Sequence, residues 1–301
     1  MLSQSIHVAT LIRPSVEHIP SMFRFLDAHT ETSMFIKSNL MKTGLTFEGK
    51  EFQGEYLIAL GADKEVTGIL AHYWTGALIM QAPEEVVLSA LLTEFQRTVT
   101  RPVASVIGPT AQARFSINQL SLHNEAYRMN ALEGLYSLDL DTLPPSMLVD
   151  GSKVVKATHV DRAVLGRWLR AYDIEALGRA DTPQLDAHIE NRLRQIVDSG
   201  DSWVLLSGDI PVALSGFNAR LPSIVQIGPV WTPPEQRGKG YARSLVAETL
   251  RIAATEGVTK AILFTDNPAA IRAYEAIGFR RIGEYQLAFL ENEVPATRMR
   301  R

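Results

Sequence analysis

The 301-residue chain contains no cysteine. Disulfides, thiolate metal sites and a cysteine nucleophile are therefore excluded. An excess of charge of one sign is also lacking. Thirty Lys and Arg against 33 Asp and Glu leave a net charge of -3, so no general basic field is available for nucleic acid. Any anionic ligand must be held by local geometry. No apolar run approaches the ~20 residues that cross a bilayer. The opening stretch, Met1 to Val8, has no basic segment followed by an apolar one. These absences lead to the expectation of a cytoplasmic protein without a membrane or nucleic-acid partner. What is present is ordinary for a globular chain, with 46% hydrophobic and 21% charged residues. The length favours two domains.

The segment from Leu138 to Gly151, with Pro144, Pro145 and then Asp150-Gly151, breaks regular structure. It sets the expected boundary, giving domains 1–147 and 148–301. In the second half the pattern predicts strands at 153–158, 203–207, 211–220, 224–231, 260–265 and 280–290. Helices are predicted at 161–172, 182–198, 238–255 and 268–277. Gly208-Asp209 reads as a hairpin turn. The first half has a similar order. Helices are expected at 16–29, 32–43, 84–97 and 110–121, and strands at 55–60, 65–74, 76–81 and 103–107. Tyr56–Gly61 lines up with Trp203–Gly208 at an offset of 147. An internal duplication of an α/β (α+β) sheet domain follows from that order.

Between the apolar run 223–231 and the helical pattern of Leu245, Val246 and Leu250 lies Arg237-Gly238-Lys239-Gly240-Tyr241-Ala242. A Gly-rich turn at a helix start aims several N–H groups at one spot and adds the positive end of the helix dipole. It is a place for a phosphate. The Gly-Lys-Ser/Thr of a Walker loop is absent, and so is the third glycine of a dinucleotide-binding turn. The pattern left is Gln/Arg-x-x-Gly-x-Gly/Ala. Downstream, Asn267-Pro268 opens a helix that carries Ala270 and Tyr274 and leads to Gly278-Phe279.

With both blocks in view, residues 153–290 resemble the GNAT superfamily of acyl-CoA-dependent N-acetyltransferases. The loop matches that family's pyrophosphate motif. The run Asn267, Ala270, Tyr274, Gly278-Phe279 matches its second block. The resemblance implies a mixed, mostly antiparallel sheet flanked by helices, in two tandem GNAT-like domains. It implies acetyl-CoA as cosubstrate, no metal, and an amine acceptor whose identity stays open. A monomer or homodimer is expected.

On that resemblance acetyl-CoA lies between two splayed parallel strands, 224–231 and 260–265. The amides of Arg237, Gly238, Lys239, Gly240, Tyr241 and Ala242 would hold its pyrophosphate. Val230, with Trp231 and Thr232 beside it, would offer an amide to the thioester carbonyl. Pro229 cannot donate and points to a bulge. Asn267 either caps its helix or binds the pantetheine arm, and Ala270 would lie along the same path. Tyr274 would be the general acid for the leaving thiolate. Glu175 and Asp173, in the connection Tyr172–Asp181, are the carboxylates that would bind or deprotonate the amine. A solvated acidic loop and a water chain remain alternatives at that point. The other basic features are Arg13, Arg114 and the tail Arg298 to Arg301.

The first half departs from the pattern. After Ala82 it runs into Pro83-Glu84-Glu85, with no glycine loop and two carboxylates at a helix start, which would repel a pyrophosphate. On the loose alignment of 107–111 with 266–268, Ser116 stands in place of Tyr274. The first domain is expected not to hold CoA. Two other readings stay open: a non-catalytic acyl-CoA-binding or regulatory module, and a scaffold for a protein partner.

Overall fold

The computed structural model describes residues 10–299. The opening stretch Met1 to Val8 and the last two arginines of the basic tail lie outside the described residues. In chain order the first elements are β1 (Thr10–Ile12), α1 (Ile19–Asp27), α2 (Thr30–Thr43), β2 (Gly54–Leu60), β3 (Val66–Tyr73), β4 (Ala77–Gln81), α3 (Glu85–Thr98), β5 (Val103–Pro109), α4 (Thr110–Gln119) and β6 (Tyr127–Asp139). They are followed by β7 (Ser152–Lys156), α5 (Arg162–Leu177), α6 (Pro183–Ser199), β8 (Ser202–Ser207), β9 (Ile210–Arg220), β10 (Ile224–Trp231), α7 (Tyr241–Thr255), β11 (Lys260–Thr265), α8 (Pro268–Glu275), β12 (Arg280–Val294) and α9 (Ala296–Met299).

These elements form two compact units that do not follow a single cut. The first comprises residues up to Glu133 together with Gly283 onward; the second runs from Gly134 to Ile282. The sequence-based boundary after residue 147 falls inside the second unit. In the first unit β1 to β5 lie in sequence order and β12 closes the far side. In the second, β7 to β11 lie in sequence order and β6 closes the far side. Each unit thus takes its last strand from the other half of the chain. Within each unit the strand pairs are antiparallel except for one parallel pair, β4 with β5 and β10 with β11.

The exchanged strands complete the cores. Ala288, Leu290 and Val294 of β12, with Met299 of α9, are buried among Leu88, Leu92, Val103 and Val106. Tyr136 and Leu138 of β6 are buried among Val225, Leu250, Leu263 and Tyr274. Full burial of such a side chain contributes roughly 1.5–3 kcal/mol, so neither segment is peripheral to the unit it joins.

Local chemistry sets the boundaries in the second unit. Asp161 caps α5 by accepting from the Ala163 amide at 2.7 Å, which satisfies an N–H left over at the helix start. Gly178 ends that helix with φ 62, a left-handed turn that glycine adopts without a Cβ penalty. Pro183 opens α6. The Gly208-Asp209 hairpin is present, with Ser207 opposite Ile210. The sheet is covered on both faces. One core lies with α7 and α8, the other with α5 and α6. α5 continues to Leu177, beyond the expected end at 172, so Asp173 and Glu175 sit on its last turns and not in a connecting loop.

Candidate functional site

The site begins where β10 and β11 part. Their parallel register runs from Ile224 opposite Lys260 to Gln226 opposite Ile262 and ends there. β10 continues to Trp231 without a partner on that side. Its pairing with β9 shifts between Gln226 and Ile227 and again between Ile227 and Val230, so the bulge anticipated at Pro229 is present. Gln226 sits at the parting point with its Nε2 donating to the Ile227 carbonyl at 2.8 Å.

Beyond the strand, Gly238 and Gly240 have φ of 78° and 80°. A Cβ at Gly238 would meet nothing within 4 Å, and one at Gly240 only the Arg243 guanidinium at 3.6 Å. The glycines are therefore needed for the left-handed backbone and not for lack of room. Gly240 caps α7, and the Ser244 amide closes the first turn on the Gly240 carbonyl at 3.0 Å. The amides of Tyr241, Ala242 and Arg243 precede that bond, as at any helix start.

The loop's side chains have partners of their own. Arg237 donates to the Thr232 carbonyl at 3.0 Å and to Glu175 at 2.9 Å, and lies 4.9 Å from the centre of the Trp231 ring. Lys239 donates to Gln236 at 2.9 Å. The Tyr241 hydroxyl reaches Ser207 at 3.5 Å. Arg237 is thus a brace that ties the loop to β10 and α5.

Asn267 caps α8. Its Oδ1 accepts from the amides of Ala269 at 2.9 Å and Ala270 at 3.3 Å. Of the two roles open to it, the cap occupies its carbonyl oxygen and also takes up the Ala270 amide. Tyr274 lies two turns on, 8% exposed and edge-on to Phe279 at 5.9 Å. Burial, reinforced by the nearby Tyr172 phenol, pushes its hydroxyl well above the ordinary tyrosine value. The phenol stays protonated at neutral pH, the state a proton donor requires.

The two acidic candidates part company. Asp173 is fully buried and faces two arginines and a histidine. His188 lies at 2.8 Å and Arg179 at 3.3 Å, and Arg192 also contacts it. Burial raises its carboxyl, yet the adjoining His188 ring and the charges of Arg192 and Arg179 win and hold it below the usual range. Those partners tie the last turns of α5 to the middle of α6. Glu175 is half exposed and paired with Arg237.

Several buried polar atoms of this region have no partner: Thr232 Oγ1, Ser244 Oγ, Trp231 Nε1 and the Oε1 of Gln226. Such orphans cost free energy unless a ligand or water meets them. The two hydroxyls and the indole N–H are donors and Gln226 Oε1 is an acceptor; Ser244 stands in the first turn of α7, the helix that follows the glycine loop. Trp231 and Ser244 were not singled out as polar groups of the site, because neither residue type marks one in a sequence.

The first unit differs at each corresponding place. β4 and β5 pair from Ala77–Ser105 to Ile79–Ile107. Past that point the Gln112 side chain accepts from the Ala82 amide at 2.7 Å, bridging α4 to the end of β4. Ser116 is fully buried and donates to the Gln112 carbonyl at 2.8 Å. A Cβ on Gly108 would come within 2.7 Å of Met80 Sδ. α3 starts at Glu84-Glu85. With Ser116 matched to Tyr274, Gln112 matches Ala270 and is the larger side chain.

The model of the Acetyltransferase (GNAT) family matches residues 165–279. A 115-residue stretch is 30% identical to an acetyltransferase of Agrobacterium fabrum, covering 38% of this chain and 72% of that protein. The chain belongs to the GNAT family. A 62-residue stretch is 37% identical to the mycothiol acetyltransferase of Kocuria rhizophila and spans 20% of each chain. The match thus spans about a fifth of that relative's length. The GNAT fold extends over nearly all of this chain. A GCN5-related N-acetyltransferase from Sphaerobacter thermophilus superposes with a TM-score of 0.56 at 16% identity, covering 96% of both chains. A tandem GNAT protein from the clavulanic acid biosynthesis pathway gives 0.56 at 11% identity, over 94% of this chain and 98% of that one. No described helix is long and apolar enough to cross a membrane.

Proposed function

We propose that the second unit transfers an acetyl group from acetyl-CoA to an amine acceptor by direct attack within a ternary complex. The observation that carries this reading is the end of β10–β11 pairing at Gln226–Ile262. From there the free strand end leads to the glycine loop at the start of α7, with Tyr274 held on α8.

In this reading the loop amides from Gly238 to Ala242 hold the pyrophosphate, aided by the α7 dipole. Arg237 shapes the loop through Thr232 and Glu175, and Lys239 adds charge at its edge. The Val230 amide and the unpartnered Thr232 hydroxyl face the acyl end, where an N–H stabilises negative charge developing on the thioester oxygen. Ala270 leaves room for the pantetheine arm, and the Asn267 side-chain NH2 donates to it while Oδ1 keeps the cap. The amine attacks the acyl carbon, the carbon–sulfur bond breaks, and Tyr274 gives its proton to the departing sulfur. The amine's proton leaves through Glu175 or water. The acceptor is an amine, with small amines, amino acids, antibiotics and protein N-termini as its candidate classes. The protein works in the cytoplasm as a monomer or homodimer without a metal.

The test measures thiol release from acetyl-CoA with a panel of amines, amino acids and peptides. Tyr274→Phe should lower kcat by roughly 10²–10⁴, the span of general acid–base catalysis, with acetyl-CoA affinity kept. Tight CoA binding with no turnover on any acceptor would favour a binding module and overturn the enzyme reading.

A further inference from the structure

The first unit carries a polar corner that its missing cofactor cleft does not explain. On α4, Gln112, Ser116 and Gln119 turn toward β4 and α3, and Gln119 donates to the Ser89 carbonyl at 3.0 Å. Arg114 and Asn118, one turn apart, lie on a different side of that helix. With Ile117, Asn130, Leu132 and Gln286 they line a pocket of about 330 Å³. It is separate from the place where Gln112 bridges to Ala82.

Three features of this pocket point to a ligand. First, no carboxylate among the described residues pairs with Arg114, while Arg13, Arg24, Arg97 and Arg101 of the same unit all have one. A guanidinium offers a planar fork suited to a carboxylate. Second, Gln286 is only 5% exposed, and its Oε1 has no partner. Its Nε2 donates to Asn130, so the unpaired oxygen calls for a donor from elsewhere. Third, Ile117 and Leu132 supply an apolar wall, and Leu132 is 38% exposed.

No acidic residue lines the pocket. A bound ammonium would lack a counter-charge there, so the donor that meets Gln286 is a neutral N–H. We propose that the first unit binds a carboxylate with an amide N–H on the neighbouring carbon and an apolar side chain. That is the chemistry of an N-acylated amino acid or of a peptide's C-terminal residue. The carboxylate sits on Arg114, the amide donates to Gln286 Oε1, and the side chain rests on Ile117 and Leu132. Gln286 lies on β12 opposite Gly108 of β5, so the site exists only because the exchanged strand is in place.

Calorimetry on the full chain with four leucine-related probes and one peptide tests this. N-acetyl-L-leucine should bind saturably. L-leucine, 4-methylpentanoate and N-acetyl-leucinamide each lack one matched group or add an unmatched charge, and each should bind at least about tenfold more weakly. A blocked tripeptide ending in leucine forms the second arm, and the tighter of the two arms identifies the source. Arg114→Met, an exposed change that leaves the fold intact, should cost about tenfold or more; a melting curve checks the fold. Gly240→Glu should leave this binding unchanged. No binding by either arm, equal binding of the four leucine-related probes, indifference to Arg114→Met, or loss in Gly240→Glu would each overturn the assignment.

Discussion

Arg237 and Glu175 meet at 2.9 Å and join the loop ahead of α7 to the last turns of α5. Both side chains are close to half exposed, so the pair itself is worth little in stability, on the order of 1 kcal/mol or less. Its consequence is positional. Glu175→Gln should therefore leave the melting temperature nearly unchanged and weaken acetyl-CoA binding a few-fold. If Glu175 also takes the amine's proton, kcat at saturating acetyl-CoA and acceptor should fall by roughly 10²–10⁴ in that variant; an unchanged kcat would leave it a brace alone.

Ala270 and Gln112 occupy matching places on α8 and α4. Ala270→Gln copies into the second unit the side chain that stands at the matching place of the first. It should weaken acetyl-CoA binding by about tenfold or more through lost room, with the protein still folded. Equilibrium binding and a melting curve together check this. Undiminished affinity would show that the arm does not pass Ala270.

His72 is buried in the first unit, 3% exposed, with its Nε2 3.0 Å from the Pro102 carbonyl. Burial, and then the Arg101 charge, lower its pKa from 6.5 to about 4. The charged form is disfavoured in the fold, so stability is full above 6.5 and falls as pH drops toward 4. The loss is up to roughly 3 kcal/mol over that span. Denaturant titrations at pH 7 and pH 4.5 should show it, and His72→Gln should flatten the dependence.

Leu290 stands late in the sequence but is buried in the first unit's core; Leu138 precedes the expected boundary but is buried in the second's. Leu290→Ala and Leu138→Ala should each cost about 2–5 kcal/mol. Hydrogen exchange read peptide by peptide should show lost protection in β2–β5 for the first and in β10–β11 for the second. The reverse assignment would contradict the strand exchange.

The family motifs of the second unit were legible because they depend on spacing. Two glycines at 238 and 240, and an Asn267–Tyr274 interval, survive as local patterns. The alignment of Tyr56 with Trp203 found true counterparts, β2 and β8. β6 was missed because its first half, Tyr127-Arg128-Met129-Asn130, is only half buried and does not alternate cleanly. No local pattern tells a strand which sheet it will join, so the exchange of β6 and β12 was out of reach. Asp173 looked like an acid awaiting an amine because its partners His188, Arg192 and Arg179 come from α6 and from beyond the end of α5. Gln112 gave no signal, since a glutamine on a helix reads as surface until its partner amide is known.

Calorimetric titration of the full chain with acetyl-CoA, for the wild type and for Gly240→Glu, tests the central claim most directly. The account predicts one molecule bound per chain and none in the variant, whose melting curve should confirm that it is folded. Two molecules per chain, or unchanged affinity in Gly240→Glu, would contradict it.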